Sequence, residues 1–251
     1  MSFDNGTFCA DLFAGKHVVV SGGTSGIGLA IARTFHRLGA HTTATGSSMK
    51  KLDALRDDAS LSGLRFAALN VRDQREINAF FGSLARVDVL INAAGVARPR
   101  DEYTDDVFTD VLDVNLRSVM RVSQAARPLL EQYRGSIVNI ASMLSYLADA
   151  DVPAYCASKT GVVGLTRSLA HEYGRSGVRV NAIAPGYHRT EMTRIFWESE
   201  ALSNKIVARS ALGRWGEADD LAGAAVFLAS PAAAFVTGVT LPVDGGYVSG
   251  F

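Results

Sequence analysis

The feature that most limits the fold is a regular alternation. Short, almost continuous apolar runs recur along the chain, each followed by a longer stretch with apolar residues at helical spacing. The runs are "KHVVVSG" (16–22), "HTTAT" (41–45), "LRFAAL" (64–69), "VDVLIN" (87–92), "GSIVNIAS" (135–142), "VRVNAIA" (178–184) and "GVTLPV" (238–243). Helices are expected over 28–39, "MKKLDALRD", 73–84, 104–132, 152–175, 190–208 and 217–229. Strands with no polar side must be covered on both faces. The pattern therefore predicts an α/β fold: a single doubly wound parallel sheet, Rossmann-like, of about seven strands with helices on both faces. A chain of 251 residues suffices for one such domain. We read 1–13 as an N-terminal arm and 14–251 as one catalytic domain, with a mobile substrate loop over 187–217, the longest stretch expected to lack a strand.

Twenty-five basic residues balance twenty-five acidic ones, so charge gives no reason to expect nucleic acid or an anionic membrane as partner. No apolar run is long enough to span a bilayer, and the N-terminus lacks the pattern of a secretory signal. Cys9 and Cys156 have no metal-ligand spacing, so no metal site is expected and a reducing cytoplasm is the default location.

Behind the first strand comes "SGGTSGIG" (21–28). Gly22 allows a sharp turn, Gly26 a close approach of backbone to a pyrophosphate, and Gly28 a tight helix–strand contact. Thr24, Ser25 and Ile27 complete the turn. The helix starting here would aim free N–H groups and its positive dipole end at phosphates. Strand two ends in Gly46, Ser47 and Ser48, with no acidic residue to accept bonds from the adenosine ribose. The expected cofactor is NADP or NAD, and this turn leans to NADP. Lys50 and Lys51 read as solvated helix charges.

Tyr155 and Lys159 are four residues apart, on one helix face. A free phenol titrates near ~10, too high for a base at neutral pH. A neighbouring ammonium favours the phenolate. Ser142 ends strand five at the carboxyl edge of the sheet, where its hydroxyl can bond a substrate oxygen. Cys156, rotated away from Tyr155, reads as a packing residue.

With these motifs in order, the chain resembles the short-chain dehydrogenase/reductase family over about residues 14–247. The matching pieces are "SGGTSGIG", "NAAG" (92–95), "DVNL" (113–116), "IASMLS" (140–145), "YCASK", "NAIAPGYHRT" (181–190) and "VDGG" (243–246). The resemblance implies an oxidoreductase moving hydride between a nicotinamide and the secondary alcohol or ketone of a small molecule. It implies Ser142, Tyr155, Lys159 and Asn115 as catalytic residues. Lys159 would also hold the nicotinamide ribose, and Asn115 would position a water of a proton relay. Asn92, Ala93, Ala94 and Gly95, then Pro185, Gly186 and Thr190, would line the cofactor, with Asn70 and Val71 beside the adenine. Asn70 replaces the family's commoner Asp, and Ala93 its commoner Asn. Leu144, Tyr187, His188 and Trp197 are candidate substrate-pocket residues, with Ile195, Phe196 and Trp197 as an apolar lid. Relatives assemble through the two long helices and the last strand, which implies a homotetramer or homodimer. The competing reading is a non-catalytic dinucleotide sensor or scaffold, for which Tyr155 and Lys159 are dispensable.

Overall fold

The computed structural model describes residues 7–250. Strands β1 (His17–Ser21), β2 (His41–Gly46), β3 (Arg65–Ala68), β4 (Val89–Asn92), β5 (Ser136–Ile140) and β6 (Arg179–Pro185) follow the expected order. Two short strands, β7 (His188–Arg189) and β8 (Gly216–Glu217), pair only with each other. The final strand is β9 (Thr240–Val243). The main sheet is wholly parallel, in the order β3-β2-β1-β4-β5-β6-β9.

Strand β1 shows why the sheet needs two covers. Val18 and Val20 pack with Ile31 and Phe35 of α1 (Gly26–Arg37) and with Ala225 and Val226 of α9 (Ala222–Ala229). Val19 points the other way, into a second core with α3 (Gln74–Gly82), α5 (Ser118–Tyr133) and α6 (Pro153–Gly174), through Ile77, Val122 and Tyr173. All three valines are fully buried, each worth about 1.5–3 kcal/mol by transfer. Helix α2 (Met49–Arg56) and β3 build the sheet edge.

Three expectations are corrected. The helix expected over 104–132 is α4 (Asp105–Leu112), one π turn (Asp113–Arg117), then α5. The helix expected over 190–208 is split into α7 (Arg194–Trp197) and α8 (Glu200–Arg209). The segment 187–217 is not strand-free, because β7 and β8 join its two ends. Of the arm expected over 1–13, residues 1–6 lie outside the described residues. Phe13 is core, 3% exposed and edge-on to Phe35 at 4.8 Å. Among the described residues no helix is long and apolar enough to cross a membrane, and no group of three or more His, Cys, Asp or Glu is placed to hold a metal.

Strand order reverses between β1 and β4, which opens a crevice beyond their carboxyl ends.

Candidate active site

A cleft of about 290 Å³ occupies that crevice. Its floor is the glycine turn. Gly22 has φ +78°, and a Cβ there would sit 2.4 Å from the Ala94 nitrogen. A Cβ on Gly28 would sit 2.2 Å from the Gly22 carbonyl oxygen, so no other residue fits. Gly26 has φ +49° and faces only Thr190, at 3.5 Å, which leaves its backbone open to the cleft. Ser25 makes no side-chain cap on α1, so the first N–H groups of that helix have no side-chain acceptor of their own. This is the cradle a dinucleotide pyrophosphate requires, and the residues fit it. Thr24, Ile27, Gly46, Ser47, Asn70, Val71, Ala93, Gly95 and Thr190 also line the cleft. Gly46 is needed because a Cβ would meet the Thr24 hydroxyl at 2.5 Å.

The residues expected as the acid–base pair lie on one wall of the cleft. Tyr155 and Lys159 line the cleft from the first turns of α6. Lys159 is 4% exposed, and its Nζ donates to the Ile140 carbonyl at 2.7 Å. The same Nζ lies 5.6 Å from the centre of the Tyr155 ring. Burial lowers the lysine from 10.5 to about 8. Burial raises the Tyr155 phenol; the Ser142 hydroxyl beside it pulls the other way, and Cys156 and Glu102 add to the rise. The expected lowering of the phenol by Lys159 therefore does not govern this site; desolvation does. Ser142 Oγ accepts from the Leu144 N–H at 3.1 Å, which leaves its own hydrogen free to donate.

Asn115 lies in the π turn and is fully buried. Its Oδ1 accepts from Val96 N at 2.8 Å, and its Nδ2 donates to Val96 O at 2.9 Å and Ser158 Oγ at 3.1 Å. It thus ties the strand-four loop to α6. A Cβ on Gly95 would lie 3.5 Å from Lys159 Nζ and 3.6 Å from Asn115 Oδ1, so all three converge.

A family model described as enoyl-(acyl carrier protein) reductase matches residues 22–248. Gluconate 5-dehydrogenase of Gluconobacter oxydans (strain 621H) is 38% identical over 247 residues, covering 94% of this chain and 96% of that one. The chain belongs to the short-chain dehydrogenases/reductases. The 5-keto-D-gluconate 5-reductase of Escherichia coli (strain K12) is 37% identical over 247 residues, covering 94% of this chain and 97% of that one. A crystal structure of a gluconate 5-dehydrogenase from Burkholderia cenocepacia J2315, in complex with NADP and tartrate, superposes with a TM-score of 0.87 at 33% identity, covering 96% of this chain and 99% of that one. This short-chain dehydrogenase/reductase is accordingly an NAD(P)-dependent oxidoreductase acting on CH–OH and C=O groups.

Not every expected residue reaches the cleft. Asn92 turns into the sheet, where its Nδ2 donates to Asn139 Oδ1 at 2.9 Å and Ser123 Oγ at 3.1 Å. Ser48 caps α2 by accepting from Lys51 N at 3.4 Å, and both lysines stay exposed. Pro185 and Gly186 lie behind the lining, with Gly186 against Asp244. His188 is 3% exposed, with Nδ1 bonded to the Gly186 carbonyl at 3.1 Å. Its ring packs on Gly216 and borders a separate cavity with Arg214 and Asp220. Burial lowers its affinity for a proton. Tyr187 is a hub of edge-on rings, 5.8 Å from Phe196, 5.6 Å from Trp215 and 5.2 Å from Tyr247. Burial pushes its phenol up to about 12. The residues expected as one apolar lid diverge. Ile195 is exposed, Phe196 packs on Tyr187, and Trp197 Nε1 donates to the Thr190 carbonyl at 3.1 Å. Cys156 holds its Sγ 3.8 Å from the Asp149 carbonyl, and burial raises the thiol, which removes nucleophilic character.

Sequence reasoning missed Arg72, Val96, Val114, Glu191 and Met192, all in the cleft wall. Each lies within two residues of a flagged position; Val114 sits beside Asn115 in the π turn, and the others sit beside flagged loop positions. Arg72 is held by Asp110 through Nε at 2.6 Å and Nη2 at 2.8 Å.

Proposed function

We propose that this chain interconverts a secondary alcohol and a ketone on a polyhydroxy carboxylic acid of the gluconate kind, with NADP preferred and Tyr155 as general acid and base. The observation that carries this reading is the meeting of the Tyr155 and Ser142 hydroxyls beside a buried Lys159 in the wall of a glycine-floored cleft. The substrate class follows the gluconate and 5-ketogluconate named for relatives that this chain matches over nearly their whole length. When bound, the nicotinamide supplies or accepts the hydride. Gly22, Gly26 and the free end of α1 would hold the pyrophosphate. Ser47 and Thr24 leave room and hydroxyls for a ribose phosphate, with no acidic residue in the Gly46–Ser48 turn to repel it.

In reduction, the Tyr155 phenol gives its proton to the carbonyl oxygen as the carbon is reduced. Ser142 donates a hydrogen bond to that same oxygen and stabilises its developing charge. Lys159, fixed on the Ile140 carbonyl, would hold the nicotinamide ribose and supply positive charge beside the phenol. In oxidation the protons run the other way. The Asn115 amide spends both N–H donors on Val96 and Ser158 and accepts from the Val96 N–H, so a relay water at Asn115 would bond to the second lone pair of Oδ1 or to the backbone of the π turn.

The reading extends to assembly and location. Leu116, Met120, Gly161 and Leu165 form an apolar groove across the π turn, α5 and α6, and Phe235, Val239 and Leu241 are exposed near β9. These faces fit a homotetramer, which light scattering on the eluted protein tests. Two free cysteines fit a cytoplasmic protein.

The functional test is NADPH oxidation with a panel of keto-sugar acids, neutral ketoses and a 3-oxoacyl thioester. Turnover led by a keto-sugar acid supports the reading. Turnover confined to the thioester overturns the substrate class, and none with any carbonyl overturns the reaction.

A further inference from the structure

Helix α6 carries the general acid, yet its own sequence cannot cap it. The N-cap residue is Val152, which has no side-chain acceptor, and the next residue is Pro153. The Tyr155 N–H is one of the free donors of that first turn. Its acceptor comes from fifty-three residues away: Glu102 Oε2, at 2.8 Å. The other carboxylate oxygen, Oε1, accepts from the Arg98 N–H at 2.8 Å. Glu102 is 0% exposed. Arginine 100, close in sequence, does not pair with it but bonds Asp151 at 3.1 Å. Burying a carboxylate is costly, and here the cost is offset by the two backbone N–H bonds it accepts.

The segment around Glu102 is fastened to the approach of α6 at further points. Arg100 N–H donates to the Asp151 carbonyl at 2.7 Å, and Tyr103 OH donates to the Ala150 carbonyl at 2.7 Å. Arg100 sits in the left-handed region, φ +67°, a conformation that a non-glycine residue holds only when its surroundings require it. The segment begins at Val96, which Asn115 grips from the other side.

We propose that Glu102 is a positioning residue for the reaction: its carboxylate caps α6 through the backbone of Tyr155 and fixes the phenol against Ser142, locking the strand-four loop to the acid–base centre. This rests on the reading of Tyr155 as general acid and base. The carboxylate also sets the field at the phenol. The groups facing Tyr155 are Lys159 and Cys156 on its own helix, Ser142 from the end of β5, and Glu102 from the strand-four loop, with Asp149 behind Cys156. Of the two acidic side chains among these, only Glu102 bonds to Tyr155 itself. It favours the neutral phenol, so removing its charge should make the phenol easier to deprotonate.

The experiment compares wild type, Glu102→Gln, Glu102→Asp and Tyr155→Phe in NADPH-dependent carbonyl reduction from pH 6 to 11, with NADPH affinity measured by fluorescence. Gln keeps one acceptor but turns an NH₂ toward the second N–H. Its kcat is expected to fall roughly ten- to hundredfold, the scale of a small misplacement of a reacting group. NADPH affinity should stay within about twofold, because the glycine cradle does not touch Glu102. The alkaline limb of the kcat profile should move to lower pH. Asp keeps the charge on a shorter arm, so it should lower kcat less and leave the limb in place. An unchanged kcat and limb in Glu102→Gln overturn the proposal. A matching loss of NADPH affinity also overturns it, since that marks a general structural role. If the Gln variant does not fold, Asp decides, and wild-type kcat there overturns the proposal. Full activity in Tyr155→Phe instead removes the underlying reading.

Discussion

Replacing Lys159 by Met should make the cofactor-free protein more stable while abolishing its activity. The lysine is pushed from 10.5 down to about 8 by burial alone. At 1.36 kcal/mol per pH unit, this is a penalty of about 3 kcal/mol on the folded ammonium. Methionine fills similar space without the charge. Against the gain, the Ile140 carbonyl loses its bond from Nζ, about 1 kcal/mol. The net expectation is about 2 kcal/mol, or roughly 4–8 °C in Tm for a domain of this size. The sign with pH is definite. A lysine whose folded pKa lies below its unfolded value destabilises fully below about 8, and the effect fades toward 10.5. Wild-type stability should therefore climb relative to the variant across that window. Urea unfolding of both proteins without cofactor, at pH 7, 8, 9 and 10, measures the gap. A variant less stable than wild type at pH 7, or a gap constant across the series, would refute the reasoning.

Other outcomes follow from the same geometry. Tyr155→Phe should lower kcat roughly 10²–10⁴-fold with NADPH affinity unchanged, by steady-state rates and fluorescence titration. Gly28→Ala should abolish NADPH binding, because its Cβ would lie 2.2 Å from the Gly22 carbonyl; retained binding would contradict the cradle. Ser47→Asp should shift the ratio of kcat/KM values toward NADH by about tenfold, since a carboxylate in the cleft wall repels a ribose phosphate. Because burial raises the Tyr155 phenol, reduction should stay level through neutral pH and fall only as Lys159 loses its charge at about 8 and the phenol its proton beyond it; a fall between pH 6 and 7 would count against Tyr155 as the acid.

Much of this architecture was legible because the relevant signals are local. The apolar runs and the glycines of "SGGTSGIG" specify strand, turn and helix from neighbouring residues alone, while the order of the strands in the sheet came only from the fold. Tyr155 and Lys159 were legible because helix geometry fixes their shared face. What stayed hidden depends on contacts distant in sequence. Nothing near Glu102 announces that it caps a helix at Tyr155. Asn92 stands beside cleft residues, but Asn139 and Ser123 compete for its amide and win. His188 follows the Pro-Gly turn, yet β7 carries it under Gly216. The π turn adds one residue to a helical period that looks unbroken in the sequence.

The small β7–β8 pairing has a consequence for how such a chain diversifies. His188 pairs with Gly216 and Arg189 with Glu217, so the two ends of the intervening segment leave the sheet side by side. Chain closure is settled at that clasp, and changing the length of what lies between adds little entropy cost. The stretch from Thr190 to Trp215 is thus a cassette. It can be exchanged between relatives, with its α7 and α8, without altering the register of any strand in the main sheet. New substrate preference is open to a graft at two adjacent points, while the glycine turn and helix α6 stay on the part that is not exchanged; only Thr190, Glu191 and Met192 of the cleft wall travel with the segment.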